Sequence, residues 1–99
     1  MKIAAIDIGT NAIKSKVFRT TSKSIEFVDG IRSPIRLGSD VFSHGFLQDS
    51  KLKTLVKTLK KYQSNFEENK IKMYEIIATS AFRNTQNSEE ARRYVENRI

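Results

Sequence analysis

Two short stretches of this sequence bring together residues able to handle phosphate and a hard cation. The first is Asp7-Ile8-Gly9-Thr10-Asn11. A carboxylate at the end of a strand can hold magnesium directly or through water, and a glycine turn beside it offers backbone N–H groups and the Thr10 hydroxyl to phosphate oxygens. Asp and Gly also suit hairpin turns for purely conformational reasons, so the stretch signifies a site only if a second one supports it. That second stretch is Ala78-Thr79-Ser80-Ala81-Phe82-Arg83-Asn84-Thr85-Gln86-Asn87, which runs off a strand toward a helix start. Ligands of open α/β sheets gather at such carboxyl ends, and helix amino termini favour anions. Arg83 carries the planar fork that grips phosphate bidentately. The plainer alternative makes Thr79 and Ser80 strand-end residues and Arg83 a surface charge.

Other chemistries are excluded by composition. There is no cysteine, hence no disulfide, thiolate nucleophile or sulfur-ligated metal, and the single histidine, His44, rules out a multi-histidine site. His44 stands in a loop with no neighbour that would make a dyad, so it reads as a bland residue. No apolar run approaches the roughly 20 residues of a membrane span, and the amino terminus has no signal-peptide character, so a cytoplasmic, membrane-free protein is expected.

The elements that must position these residues follow from periodicity. Residues 2–8 (KIAAIDI) form a nearly unbroken apolar run, as for a strand buried on both faces. Beyond the Gly9–Asn11 turn, Ile13, Ser15 and Val17 alternate with Lys14, Lys16 and Phe18 as a second strand, and residues 24–31 alternate as a third. Residues 32–47, holding Pro34, Gly38 and Gly45, read as a long ordered loop whose apolar side chains must pack. Leu52, Leu55, Val56, Leu59, Tyr62 and Phe66 recur at helical spacing, with Asp49 or Ser50 as the expected cap. A fourth strand is expected over residues 72–80. A second helix starts near Asn87 or Ser88, with Asn87 and Glu90 as a capping box and Ala91, Val95 and Ile99 as its apolar line. The order is strand, strand, strand, helix, strand, helix: an α/β fold with a mixed sheet and helices packed on it. The last helix should lead into a further strand, so residues 1–99 are read as a single incomplete domain.

With 99 residues and 38% hydrophobic side chains, one small domain is the ceiling, burying roughly two-thirds of its unfolded surface. The 18 Lys and Arg against 11 Asp and Glu give a net charge of +7 and favour polyanionic partners by steering encounter. Lys51, Lys53, Lys57, Lys60 and Lys61 fall on the polar side of the long helix. They suggest a non-enzymatic polyanion-binding module as an alternative function. No aromatic residues interleave with them, so specific nucleic-acid reading is not expected.

Taken together, IAAIDIGTNAIKSKVF, IRLGSDVFSHGFLQ and ATSAFRNTQN resemble the amino-terminal part of the exopolyphosphatase / guanosine pentaphosphate phosphohydrolase (Ppx/GppA) family, in the actin-like ATPase (ribonuclease H-like) superfamily. The resemblance covers nearly the whole chain, and the pattern T-S-A-x-R-N-x-x-N discriminates best against actin-like sugar and acetate kinases, the other enzyme class that remains open. It implies a partial actin-like domain whose parent enzyme hydrolyses the terminal phosphate of inorganic polyphosphate or guanosine pentaphosphate with magnesium as cofactor. Asp7 falls on the metal-holding acid. Gly9, Thr10 and Asn11 fall on the first phosphate loop, with Thr10 in place of a commoner serine. Lys14 stands where many relatives carry arginine, keeping the charge without the bidentate fork. Arg36, Leu37 and Gly38 match the family's Arg-Leu-Gly stretch, and Arg83 matches the arginine after the fourth strand. Asn84-Thr85 departs from the small residue usual there. The water-activating glutamate and a second phosphate loop are expected beyond Ile99, so no catalytic residue is assigned here. Glu89, Glu90 and Glu96 read as helix-cap or solvent-facing charges, and the isolated piece is expected to be inactive. An unpaired sheet edge makes a homodimer the expected assembly.

Overall fold

The apolar run near the amino terminus becomes β1 (Lys2–Ile8), hydrogen-bonded on one side to β2 (Ile13–Thr20) and on the other to β4 (Met73–Ala78). A computed structural model describes residues 1–79 and 81–99 in full, and Ser80 by its backbone alone. The third strand, β3 (Ile25–Ser33), follows β2, and the helices are α1 (Leu37–His44), α2 (Asp49–Glu68), α3 (Ser80–Asn84) and α4 (Ser88–Glu96). The sheet order is β3-β2-β1-β4. The first three strands form an antiparallel meander and β4 lies parallel to β1. Short polar turns close the meander, whereas the parallel return of β4 needs the long connection through α1 and α2.

One face of the sheet carries the core. Ala4, Ile6 and Ile8 of β1 and Ile13 and Val17 of β2 are buried there, together with the six apolar residues of α2 that the periodicity picked out. Tyr62, fully buried, ties α2 to the sheet by donating its hydroxyl to the Ile13 carbonyl at 3.0 Å. The Tyr62 hydroxyl also lies 2.6 Å from Ser33 Oγ. Phe66 packs on Tyr74 of β4 with ring centroids 5.0 Å apart. Burying each such large side chain contributes about 1.5–3 kcal/mol.

Several expectations are corrected. β1 is not buried on both faces: Ile3, Ala5 and Asp7 are only half-buried, because among the described residues no element covers the second face. In β3 no residue is fully buried, so its alternation marks no core face. Residues 37–44, read as loop, form α1. This helix is too short for its period to show, and it is bracketed by Gly38 in its first turn and by Gly45, which ends it with φ 77° and an N–H donated to the Val41 carbonyl at 2.7 Å. Helix α3 likewise occupies the expected connection between the fourth strand and the last helix, and β4 ends at Ala78, two residues short of the expected bound. Neither Asp49 nor Ser50 caps α2; the cap position is Gln48, whose N–H is held by the buried Asp40 at 2.8 Å. Asn87 does stand at the cap of α4 but makes no capping bond. Its amide pairs with both backbone groups of Leu47, at 3.0 and 2.9 Å, and accepts from Thr85 Oγ1 at 2.9 Å. A long-range clamp has taken the side chain that a capping box would use. Ile99 lies beyond the end of α4 and is partly exposed, leaving Ala91 and Val95 as its buried line.

Candidate functional site

The turn between β1 and β2 is closed from within. The Gly9 N–H donates to the Ala12 carbonyl at 3.0 Å, and a Cβ on Gly9 would stand 2.9 Å from that same oxygen, so the backbone approach admits only glycine without a shift. The Gly9 amide therefore shapes the loop and is not directed outward. Asn11 is exposed at the tip. The segment entering α1 fixes the loop from outside: Gly38 donates to the Thr10 carbonyl at 2.9 Å and Arg36 to the Asn11 carbonyl at 3.0 Å. From the other direction Thr79 binds the Ile8 carbonyl twice, through its N–H at 3.0 Å and its hydroxyl at 3.1 Å. The carboxyl ends of β1 and β4 are thus joined where the two motif stretches meet.

The strand register sets which side chains share a face. Asp7 pairs with Lys14 of β2 and with Ile77 of β4, and Lys14 pairs in turn with Arg32 of β3. Residues directly opposite each other project on the same side, so Asp7, Lys14 and Arg32 form one row across the uncovered face. Asp7 Oδ1 is buried and has no hydrogen-bond partner among the described residues. A buried carboxylate oxygen is normally satisfied, and one left open is suited to a hard cation or a water that bridges to a ligand. No group of three or more His, Cys, Asp or Glu side chains stands together among the described residues, so a cation here would draw its other ligands from water and from an anion.

The structure brings Asp7, Gly9, Thr10, Asn11 and Lys14 to one corner of the sheet. Arg83 is exposed on α3 at the neighbouring strand end and borders a separate depression of about 390 Å³, walled by Ile8, Ile76, Ala78, Phe82 and Val95. The Ser80 side chain lies outside the described residues. Arg36 borders a depression of about 270 Å³ with Asn11, Arg32, Pro34 and Ser39. Nothing in the sequence marks Arg32, because only the strand register shows that it faces Lys14. His44 is exposed and lies against Phe46, ring centroids 6.1 Å apart. Glu89 and Glu96 pair with Arg92 and Arg93 on the solvent side of α4, as expected of surface charges. Of the lysines on α2, Lys51 is drawn inward, donating to the Ile35 carbonyl at 2.6 Å, while Lys53, Lys57, Lys60 and Lys61 remain exposed. No helix among the described residues is long and apolar enough to cross a membrane.

No protein-family sequence model matches the chain, and no curated protein does. Solved structures do. A Ppx/GppA family member from Aquifex aeolicus superposes with a TM-score of 0.91 at 25% identity, over 100% of this chain and 32% of its own. An exopolyphosphatase-like protein is 31% identical over 98% of this chain and 30% of its own, with a TM-score of 0.85. An exopolyphosphatase from Cytophaga hutchinsonii, 21% identical with a TM-score of 0.88 over 100% of this chain and 32% of its own, shares the fold. The chain thus spans about a third of the structures it matches. Over that span it resembles the Ppx/GppA proteins and has the α/β fold of their amino-terminal, actin-like domain.

Proposed function

We propose that this chain supplies the first phosphate-binding half of a Ppx/GppA-type phosphatase site, one that hydrolyses the terminal phosphoryl group of inorganic polyphosphate or guanosine pentaphosphate. The observation that carries the reading is the buried, unpartnered Asp7 Oδ1 beside the glycine-closed loop, within a fold shared with exopolyphosphatases. In this reading the loop presents the Thr10 hydroxyl and the Asn11 amide to phosphate oxygens, and the Lys14 ammonium, on the same face as Asp7, offsets their charge. Arg83 approaches from the end of β4. Asp7 would hold magnesium, which when bound neutralises phosphate oxygens and favours attack by water. This chain's residues bind and orient the anion. The group that activates water is proposed to lie outside these 99 residues, so the chain on its own binds without turnover.

Calorimetry with tripolyphosphate and with guanosine pentaphosphate, with and without magnesium, tests the reading while released phosphate is assayed. Magnesium-dependent binding, lost in Asp7→Asn, weakened in Arg83→Ala and unaccompanied by phosphate release, is the expected result. Binding that survives Asp7→Asn but vanishes with added salt would transfer the contact to the exposed lysines of α2 and overturn the assignment.

A further inference from the structure

We propose that Asn87 is a positioning residue for the proposed phosphate site. Its amide locks the carboxyl end of α3 to the junction of α1 and α2, and so holds Arg83 in fixed relation to the Asp7–Asn11 loop. The inference rests on the phosphate-loop reading above and names the residue that joins its two halves.

Arg83 is exposed on a helix of five residues. A helix this short has no stability of its own, so its orientation is set by what holds its two ends. At the amino end Thr79 binds the Ile8 carbonyl through its N–H and its hydroxyl and accepts the Arg83 N–H at 3.1 Å. At the carboxyl end three bonds reach the segment between α1 and α2. The Gln86 N–H donates to the Gly45 carbonyl at 3.2 Å, Asn87 Nδ2 donates to the Leu47 carbonyl at 2.9 Å, and Asn87 Oδ1 accepts the Leu47 N–H at 3.0 Å. The hydroxyl of the buried Thr85 donates to the same Oδ1 at 2.9 Å and fixes which way the amide points. Two donors facing the oxygen and a carbonyl facing the nitrogen suit an amide of this length, whereas aspartate would set a second oxygen against the Leu47 carbonyl. Asn87 makes these bonds while standing at the cap position of α4, where an asparagine ordinarily serves its own helix.

What the clamp holds gives it a role in the site. The segment bonded to Asn87 is continuous with α1, whose entry is bonded to the Asp7–Asn11 loop through the Arg36 N–H on the Asn11 carbonyl and the Gly38 N–H on the Thr10 carbonyl. One end of α1 is therefore fixed to the first motif and the other to the second. A direct tie between the motifs, Thr79 to Ile8, lies at the point about which α3 would swing. Burial of Ala81 and Phe82 keeps α3 against the core without fixing its direction, since apolar contact is non-directional. The Asn87 bonds are directional and act at the opposite end of α3. They remove orientational freedom that Arg83 would otherwise lose on binding an anion.

The test uses the 99-residue chain with tripolyphosphate as probe at fixed magnesium and salt, well below the melting temperature of each variant. Arg83→Ala and Asn87→Ala should each weaken binding about threefold or more. The double variant should bind no more weakly than Arg83→Ala alone, because a positioning residue has no effect once the group it positions is gone. Thr85→Val removes only the hydroxyl that orients the amide and should weaken binding in the same Arg83-dependent way, whereas Thr85→Ser should not. This pair decides the matter should Asn87→Ala fail to fold. Hydrogen exchange without ligand gives a readout that general destabilisation would not: Asn87→Ala should speed exchange of the Arg36, Gly38 and Arg83 amides and leave that of Ile71, past the far end of α2, unchanged. Unchanged affinity in Asn87→Ala, losses that multiply in the double variant, binding indifferent to Arg83→Ala, or exchange that quickens evenly along the chain would each overturn the role of Asn87. The phosphate-loop reading would still stand if Asp7→Asn abolished magnesium-dependent binding. A wild-type chain that does not bind tripolyphosphate would overturn both readings.

Discussion

A Cβ on Gly38 would collide with Thr10 Cγ2, while the other atoms of Thr10 stand at 3.4 Å or beyond. The amide of the same glycine holds the Thr10 carbonyl, so Gly38 fixes the β1–β2 loop through both what it donates and what it lacks. Gly38→Ala should therefore cost about 1–3 kcal/mol through overpacking. The methyl responsible belongs to threonine and not to the serine common at this position in the resembling family. In a Thr10→Ser background the same change should cost little, and it can turn favourable because alanine gains up to about 1 kcal/mol over glycine in a helix. Urea unfolding of the four members of this cycle measures the coupling, expected at about 1 kcal/mol or more. Additive effects would mean that the Thr10 methyl does not set the loop. The motif residues Asp7, Gly9, Thr10 and Asn11 were legible in the sequence because the loop is local. Gly38, 28 residues beyond Thr10, reads in the sequence as loop punctuation, since only tertiary approach gives it a purpose.

At the scale of elements, α2 ends in a way that carries no glycine signal. The Ile71 N–H reaches back to the Phe66 carbonyl at 2.8 Å and the Lys70 N–H to that of Glu67 at 3.1 Å, with Lys70 left-handed at φ 58°. This is the paired bonding of a Schellman cap, and Ile71 is buried in the same cluster as Phe66, the hydrophobic contact that accompanies such caps. Glycine normally occupies the left-handed position. Lys70→Gly should raise stability by roughly 1 kcal/mol, read as a higher urea midpoint with an unchanged slope. A lowered midpoint would mean that the lysine contributes more through its side chain than its backbone loses. The body of α2 was fully legible, because its six buried residues recur at the helical period and packing agrees with propensity. Its caps were not, because Gln48 and Lys70 are satisfied through bonds to Asp40 and to the helix's own carbonyls. The sheet was legible as strands and their alternation. Its register was not, and with it went the Lys14–Arg32 pair, since pairing partners are set by turns and by an irregularity between Val17 and Phe18 that no residue type announces.

At the scale of the whole molecule, a sheet covered on one face only leaves an extended shape. The radius of gyration is 14.3 Å against about 13 Å for a compact chain of this length, and the principal extents are 46 × 22 × 20 Å. The uncovered side is not uniformly polar. Ile25, Phe27, Met73 and Ile77 stand 67, 63, 59 and 51% exposed, and Phe27 leans edge-on against Phe18 with ring centroids 5.9 Å apart. β3 adds an outer edge of nine residues whose backbone groups pair on one side only. Exposed apolar side chains on the two edge strands, Ile25 and Phe27 on β3 and Met73 and Ile77 on β4, favour pairing with another chain, opposed here by the mutual repulsion of two molecules of net charge +7. Apolar contact survives salt and repulsion does not, so self-association should strengthen as ionic strength rises. Light scattering of this 11.4 kDa chain should then give a mass moving from monomer toward dimer with concentration, more readily at high salt. Phe27→Lys should hold the mass at monomer under the same conditions, with a melting temperature close to that of the wild type because the residue lies outside the core. A wild-type mass that stays monomeric at high concentration and high salt would show that repulsion and the twist of the edge suffice to keep the open face unpaired.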